Sequence, residues 1–235
     1  MFAIYKREMR SYFTTTTGYV FAAIFLAVSG LLFGLLTMEI NKSTDVSMYY
    51  QFLMFAYIIL LPLLTMKSFS EERRTRTEQL LLTSPVGLFP MVLAKFFAAF
   101  TMFLGTIAFT ALYFIPLSFY GEINMGRALG NLIAMILIGM CFIAIGIFIS
   151  SLTENQFTAA LGTIGILAAL VGISLVNSLV DFYPARVVLS FISIYARYSA
   201  FVNGIFDYGA AVYYISICGI FLFLAYRVYE KRRWS

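Results

Sequence analysis

Residues Ser68 to Pro90 read SFSEERRTRTEQLLLTSPVGLFP, and this stretch decides the fold. Glu71, Glu72, Arg73, Arg74, Arg76 and Glu78 crowd together between two long apolar segments; Lys67 precedes them and Lys95 follows. Each such charge would cost about 3 kcal/mol or more at the centre of a bilayer. The stretch is therefore expected to be a solvated island between two membrane spans. Thr75 followed by Glu78 reads as a capping box that starts a short helix. Leu80, Leu81 and Leu82 give that helix an apolar face, and Pro85 ends it. A short helix of this kind is suited to docking on something on the water side.

The rest of the composition agrees. The chain has 235 residues, of which 62% are hydrophobic and only 11% charged, against about 25% charged in soluble domains. That leaves too little polar surface for a water-soluble globule. The apolar runs are near-continuous over about 20 residues, so helices are expected and a barrel is not. There is no histidine, which removes the commonest general base and metal ligand. Cys141 and Cys218 lie inside apolar runs, without the spacing of a redox or metal motif, and read as packing residues.

The sequence predicts an all-α, polytopic protein forming one transmembrane domain over 1–235. Met1 to Thr17 places Phe2, Tyr5, Met9, Tyr12 and Phe13 at three- and four-residue steps, with Lys6, Arg7 and Arg10 between them. This is an amphipathic helix with a basic face, suited to the lipid interface. Six apolar runs follow, at about 18–38, 49–66, 91–120, 128–152, 157–180 and 210–229. Each is long enough at about 1.5 Å per residue to cross a hydrocarbon core. The first is too long for a removable leader and should span. Residues 68–90 form the coupling segment, and residues 181–209 form an extracytoplasmic or re-entrant segment rich in Tyr, Phe, Val and Ile.

Placing the amino terminus in the cytoplasm puts twelve of the 16 Lys and Arg residues on the inner side. Lys42, Arg127, Arg186 and Arg197 fall outside. The positive-inside rule then sets both termini in the cytoplasm. The expected location is the cytoplasmic (inner) membrane of a bacterium or archaeon.

The six-span layout and the charged island resemble the membrane subunit of an ABC-2 type transporter. The likeness is sharpest at Glu71-Glu72-Arg73, at Thr77-Glu78-Gln79-Leu80-Leu81 and at Ser84-Pro85-Val86, similar to an E-E-R…G-T-x-E-x-L-L…S-P-V pattern between spans two and three. Arg10-Ser11-Tyr12-Phe13 and Gly18-Tyr19-Val20 resemble, more narrowly, the gliding-motility-associated and nitrous-oxide-reductase-maturation branches. One residue departs from the pattern. Arg76 stands where the family commonly has Gly, and it should continue a helix more readily than a Gly turn would.

The resemblance implies that Glu71, Glu72, Arg73, Arg74, Arg76, Thr77, Glu78 and Leu81 lie at the interface with an ABC ATPase subunit. The helix carrying Lys6, Arg7 and Arg10 would be the connecting helix beside them. It also implies a second permease subunit, identical or related, and leaves room for a large extracytoplasmic protein. Lipid is the other partner; nucleic acid is not expected.

The chain has no Gly-x-x-x-x-Gly-Lys-[Ser/Thr] motif, and no Gly is followed by Lys. ATP and magnesium would therefore be bound by the partner, and no cofactor by this chain. The span interiors are read as nearly free of ionisable groups, with Asn177 polar and Glu154 a solvated cap. That argues against proton coupling and for an apolar or amphipathic cargo, or none. Pro62 and Pro116 are candidate bend points. Gly139, Gly146, Gly162, Gly165 and Gly172 allow close helix approach, either to a second subunit or within the chain. Three readings follow: an export or extraction permease, a mechanotransmission subunit acting on an extracytoplasmic partner, and, weakest, a membrane enzyme.

Overall fold

The computed structural model describes residues 1–41, 45–77, 87–119, 124–179, 189, 193–204 and 206–234. Among them there is helix and no strand. In chain order the helices are α1 (Phe2–Thr14), α2 (Thr16–Phe33), α3 (Ser47–Thr65), α4 (Ser70–Arg74), α5 (Leu88–Thr110), α6 (Phe114–Leu117), α7 (Met125–Leu152), α8 (Gln156–Leu179), α9 (Ile194–Val202) and α10 (Tyr208–Trp234). Glu78, Gln79, Leu80, Leu81, Leu82, Ser84, Pro85 and Val86 lie outside the described residues, as does the part of the 181–209 segment from 181 to 188.

Six helical stretches are long and apolar enough to cross a membrane: Thr16–Thr37, Ser47–Arg74, Leu88–Leu117, Met125–Leu152, Gln156–Ser174 and Tyr208–Arg233. In the second, the apolar helix α3 ends at Thr65, and the remainder is a turn and the charged α4. The protein is thus an all-α, multi-pass membrane protein.

The bundle is organised around α7, which packs on α3, α5, α8, α9 and α10. It is the most buried of the spans, with 67% of its apolar window inside the molecule. Small residues let its neighbours approach. A Cβ at Gly139 would stand 2.2 Å from the Phe103 ring of α5, and one at Gly146 2.2 Å from Thr65 Oγ1 of α3. The fourth-span glycines therefore serve packing within the chain. Gly165 and Gly172 on α8 meet nothing within 4 Å.

The two spans with proline differ. α3 runs through Pro62 unbroken. The third span instead narrows to a 3₁₀ turn at Ala111–Tyr113 just before Pro116. Pro116 lacks the N–H that would continue the α-helical ladder to residue 112, and the chain tightens there.

Candidate functional site

The charged island does not stand free in solvent. After Thr65 the chain turns, and α4 begins beneath the end of α7. Its acids Glu71 and Glu72 occupy the first turn and its bases Arg73 and Arg74 the last, the arrangement that suits the helix dipole. No side chain within α4 caps its start. The cap comes from α7: Ser150 Oγ accepts the N–H groups of Phe69 and Ser70 at 3.1 and 3.2 Å, and donates to Met66 O at 3.2 Å. Ser70 Oγ also donates to Met66 O.

Below α4 lies Lys95 of α5, only 2% exposed. Its ammonium donates to Ser68 O at 2.6 Å and pairs with Glu72 at 2.9 Å and Glu8 at 3.2 Å. All three donors are used. The ammonium also sits 4.9 Å from the centre of the Phe69 ring, within cation–π range. Arg7 closes the cluster, 3.0 Å from both Glu8 and Glu72. Burial pushes the Glu72 carboxyl up despite Lys95 and Arg7. The cluster is therefore better understood as fixing register than as adding net stability.

Contacts around the cluster join α1, α3, α4, α5, α7 and α10. α1 is stitched to the bundle by Glu8, by Tyr5 donating to Thr101 Oγ1 at 3.1 Å, and by Tyr12 donating to Leu64 O at 3.4 Å. Its sharp return into α2 depends on Gly18, where a Cβ would lie 2.3 Å from Tyr12 O. Arg73 donates to Leu152 O at 2.9 Å and pairs with Glu154 at 2.7 Å. Glu154 is thus exposed but tied to α4. Phe69 packs on Tyr229 of α10, with 4.6 Å between ring centres, and Arg232 donates to Ser151 O at 2.7 Å. Beside the cluster a cleft of about 600 Å³ opens between α1 and α4. Arg7, Glu8, Ser11, Lys67, Ser68, Glu71, Glu72, Thr75, Thr77 and Lys95 line it.

Two expectations are corrected here. Thr75 does not start a helix: it closes α4, with φ −85° and ψ 0°, and its hydroxyl donates back to Glu71 O and Glu72 O. A capping Thr would need extended backbone. Arg76 does not continue the helix either. Its φ is +58°, the left-handed conformation in which glycine commonly terminates helices. The turn is made in spite of the arginine.

The structure brings Arg7, Glu72 and Arg73 into partnered positions. It leaves Lys6, Arg10, Arg74 and Arg76 exposed, and none of these four makes an ion pair among the described residues. Glu71 lines the cleft and Thr77 its rim, while Glu78 and Leu81 lie outside the described residues. Two members of the cluster, Glu8 and Lys95, escaped the reading of the sequence as site residues. Lys95 carried a signal, since it lies inside an apolar run that begins at Met91, and an ionisable group within a span marks a site by default. Glu8 is the one acid before Glu39.

No group of three His, Cys, Asp or Glu side chains comes together among the described residues to hold a metal. In the cluster, every donor of Lys95 is already engaged. What remains is a join between the amino-terminal helix, the charged segment after α3 and the ends of neighbouring spans. This defines the class: a multi-pass membrane protein with a braced, charged segment between its second and third spans. The chain matches the family described as ABC-2 family transporter protein over residues 38–226. It belongs to that family and is a permease component of an ABC transporter, a class that works with an ABC ATPase subunit and lipid. A comparison with curated proteins finds no match.

Proposed function

We propose that this permease couples ATP hydrolysis by a separate nucleotide-binding subunit to the export or extraction of an apolar or amphipathic substrate. The observation that carries the reading is the Lys95 cluster. It fastens the segment that would dock on the motor to α1, to α5 and, through Ser150 and Arg73, to α7. A push on α4 cannot be absorbed by a loose loop. It must move the spans.

In this reading Glu71, Arg74, Arg76, Thr77, Glu78 and Leu81 present the docking surface, while Glu72 and Arg73 hold it to the bundle. ATP and magnesium sit on the partner. A second permease subunit, identical or related, completes the transporter, and both termini lie in the cytoplasm of a bacterial or archaeal cell. The narrower kinship with the gliding-motility-associated and nitrous-oxide-reductase-maturation branches rests on residues 10–20, which precede the matched range.

Two experiments test the reading. Glu78→Arg and Leu81→Arg should each abolish the stimulated ATP hydrolysis of the copurified ATPase while the chain still inserts in the membrane. Unchanged stimulation would remove the docking assignment. A cysteine replacing Lys42 should react with an impermeant thiol reagent from outside, and one replacing Thr83 should not. The reverse pattern would invert the topology.

A further inference from the structure

The interfacial helix α1 has two flanks with different partners. One flank, with Arg7 and Glu8, is committed to the ion cluster. The other carries Phe2, Lys6 and Arg10 at four-residue steps, with Phe13 one turn beyond Met9; residues so spaced are surface neighbours. Phe2 is 76% and Phe13 53% exposed. Lys6 and Arg10 are exposed and make no ion pair or side-chain hydrogen bond among the described residues.

Depth along the bundle orders these residues. Tyr5 meets Thr101 while Glu8 meets Lys95, so the start of α1 lies further from the charged end of α5 than its middle does. Phe2 therefore points toward apolar depth, and Lys6 and Arg10 follow toward the water side. The edge is also continuous with the outer surface of the first span, since the rings of Phe13 and Tyr19 meet edge to face with centres 6.4 Å apart. Tyr19 and Val20 are themselves exposed there.

We propose that this edge is a docking site for anionic phospholipid. The ring of Phe2 enters the acyl boundary, Lys6 and Arg10 take the phosphodiester headgroups, and Phe13 lies on the water side of them beside Tyr19. Apolar contact holds the helix on the bilayer, and the two unpaired cations select the charge of the lipid. The proposal rests on α1 lying against a bilayer and not on the coupling reading, so the two fail separately.

The test uses the full chain in phosphatidylcholine vesicles containing phosphatidylglycerol, with bromine on the acyl chains of one lipid or the other. Phe2→Trp in a Trp234→Phe background supplies the reporter. At matched mole fraction, brominated phosphatidylglycerol should quench it well beyond brominated phosphatidylcholine, by up to about fivefold per cation. High salt should reduce the preference. Lys6→Gln with Arg10→Gln should abolish it. An Ile59→Trp reporter, on an exposed face of α3, controls for insertion and should change little with the double substitution. Equal quenching by the two lipids overturns the proposal, as does a preference that survives the double substitution. Loss of ATPase copurification without any lipid preference would overturn it too, and would assign Lys6 and Arg10 to an acidic protein surface.

Discussion

The two ends of the bundle satisfy their buried polar groups in different ways. At the charged end, Lys95 has three oxygen partners, the N–H groups at the start of α4 are capped by Ser150, and Arg232 reaches the last carbonyls of α7. At the opposite end separate hydrogen bonds, from Tyr198 to Asn131 Oδ1 and from Tyr214 to Ile194 O, stand among many aromatic contacts. Phe33 packs on Tyr49 and Tyr113, and Tyr49 on Tyr50. The Tyr50 hydroxyl is buried without a hydrogen-bond partner among the described residues. Directional bonds fix one arrangement, whereas ring contacts tolerate several. The charged end, with its buried ion cluster, is therefore the more closely specified of the two.

The sharpest way to break that contrast is at Lys95. Lys95→Met removes the buried cation of the cluster and leaves Glu8 and Glu72 with Arg7 alone, at a cost of up to about 3 kcal/mol. Thermal unfolding of the purified chain should show a large loss. Adding Glu8→Leu and Glu72→Leu should restore much of the stability, since an apolar replacement of a buried ion group is often neutral. If the cluster fixes register, the triple variant should still fail to stimulate the ATPase. Full stimulation would show that packing alone holds α4 in place.

Next in size is Ser150→Ala. It strips the cap from α4 and leaves the Phe69 and Ser70 N–H groups buried without a partner, worth about 1–3 kcal/mol. Hydrogen exchange at those two amides should quicken before any part of α7 is affected. The same kind of deletion at the opposite end should have the opposite sign. Tyr50→Phe keeps the ring and removes an oxygen that lacks a partner, so it should leave stability unchanged or raise it by up to about 1 kcal/mol. A clear loss would mean that the hydroxyl has a partner, such as an internal water, and would narrow the difference between the ends.

The fold was legible because hydrocarbon imposes a coarse rule: runs of apolar residues broken by charge can only be spans and turns. All six spans could be placed from that rule. The site was legible in part. Glu72 and Arg73 were singled out from their density within 71–78, but their partners sit far away in the chain. Glu8 is 87 residues from Lys95, and Ser150 is 80 from Ser70. No local periodicity encodes such pairings. Ser150 gives no signal of its own, being one of three hydroxyl residues, with Ser151 and Thr153, at the end of an apolar run. Lys95 does give one, but beside the charged run it reads as the flank of a loop, whereas it belongs to the interior.

Arg76 offers the smallest and most local test at the charged end. Its left-handed backbone costs a non-glycine residue about 1–2 kcal/mol, and nothing among the described residues compensates through its side chain. Glycine would remove that strain but lose about 0.5–1 kcal/mol to the greater freedom of the unfolded chain. Arg76→Gly should therefore stabilise the purified chain slightly, by about 0.5–1 kcal/mol, as a small rise in the unfolding midpoint. The effect on coupling separates two roles for the residue. If the guanidinium contacts the ATPase, the variant will be more stable yet stimulate hydrolysis less. If Arg76 only occupies a turn that any φ-tolerant residue can make, stimulation will be retained, and Arg76 leaves the docking surface. A destabilised variant would mean that the side chain is held by the segment that follows Thr77, and that the turn is braced from its far side.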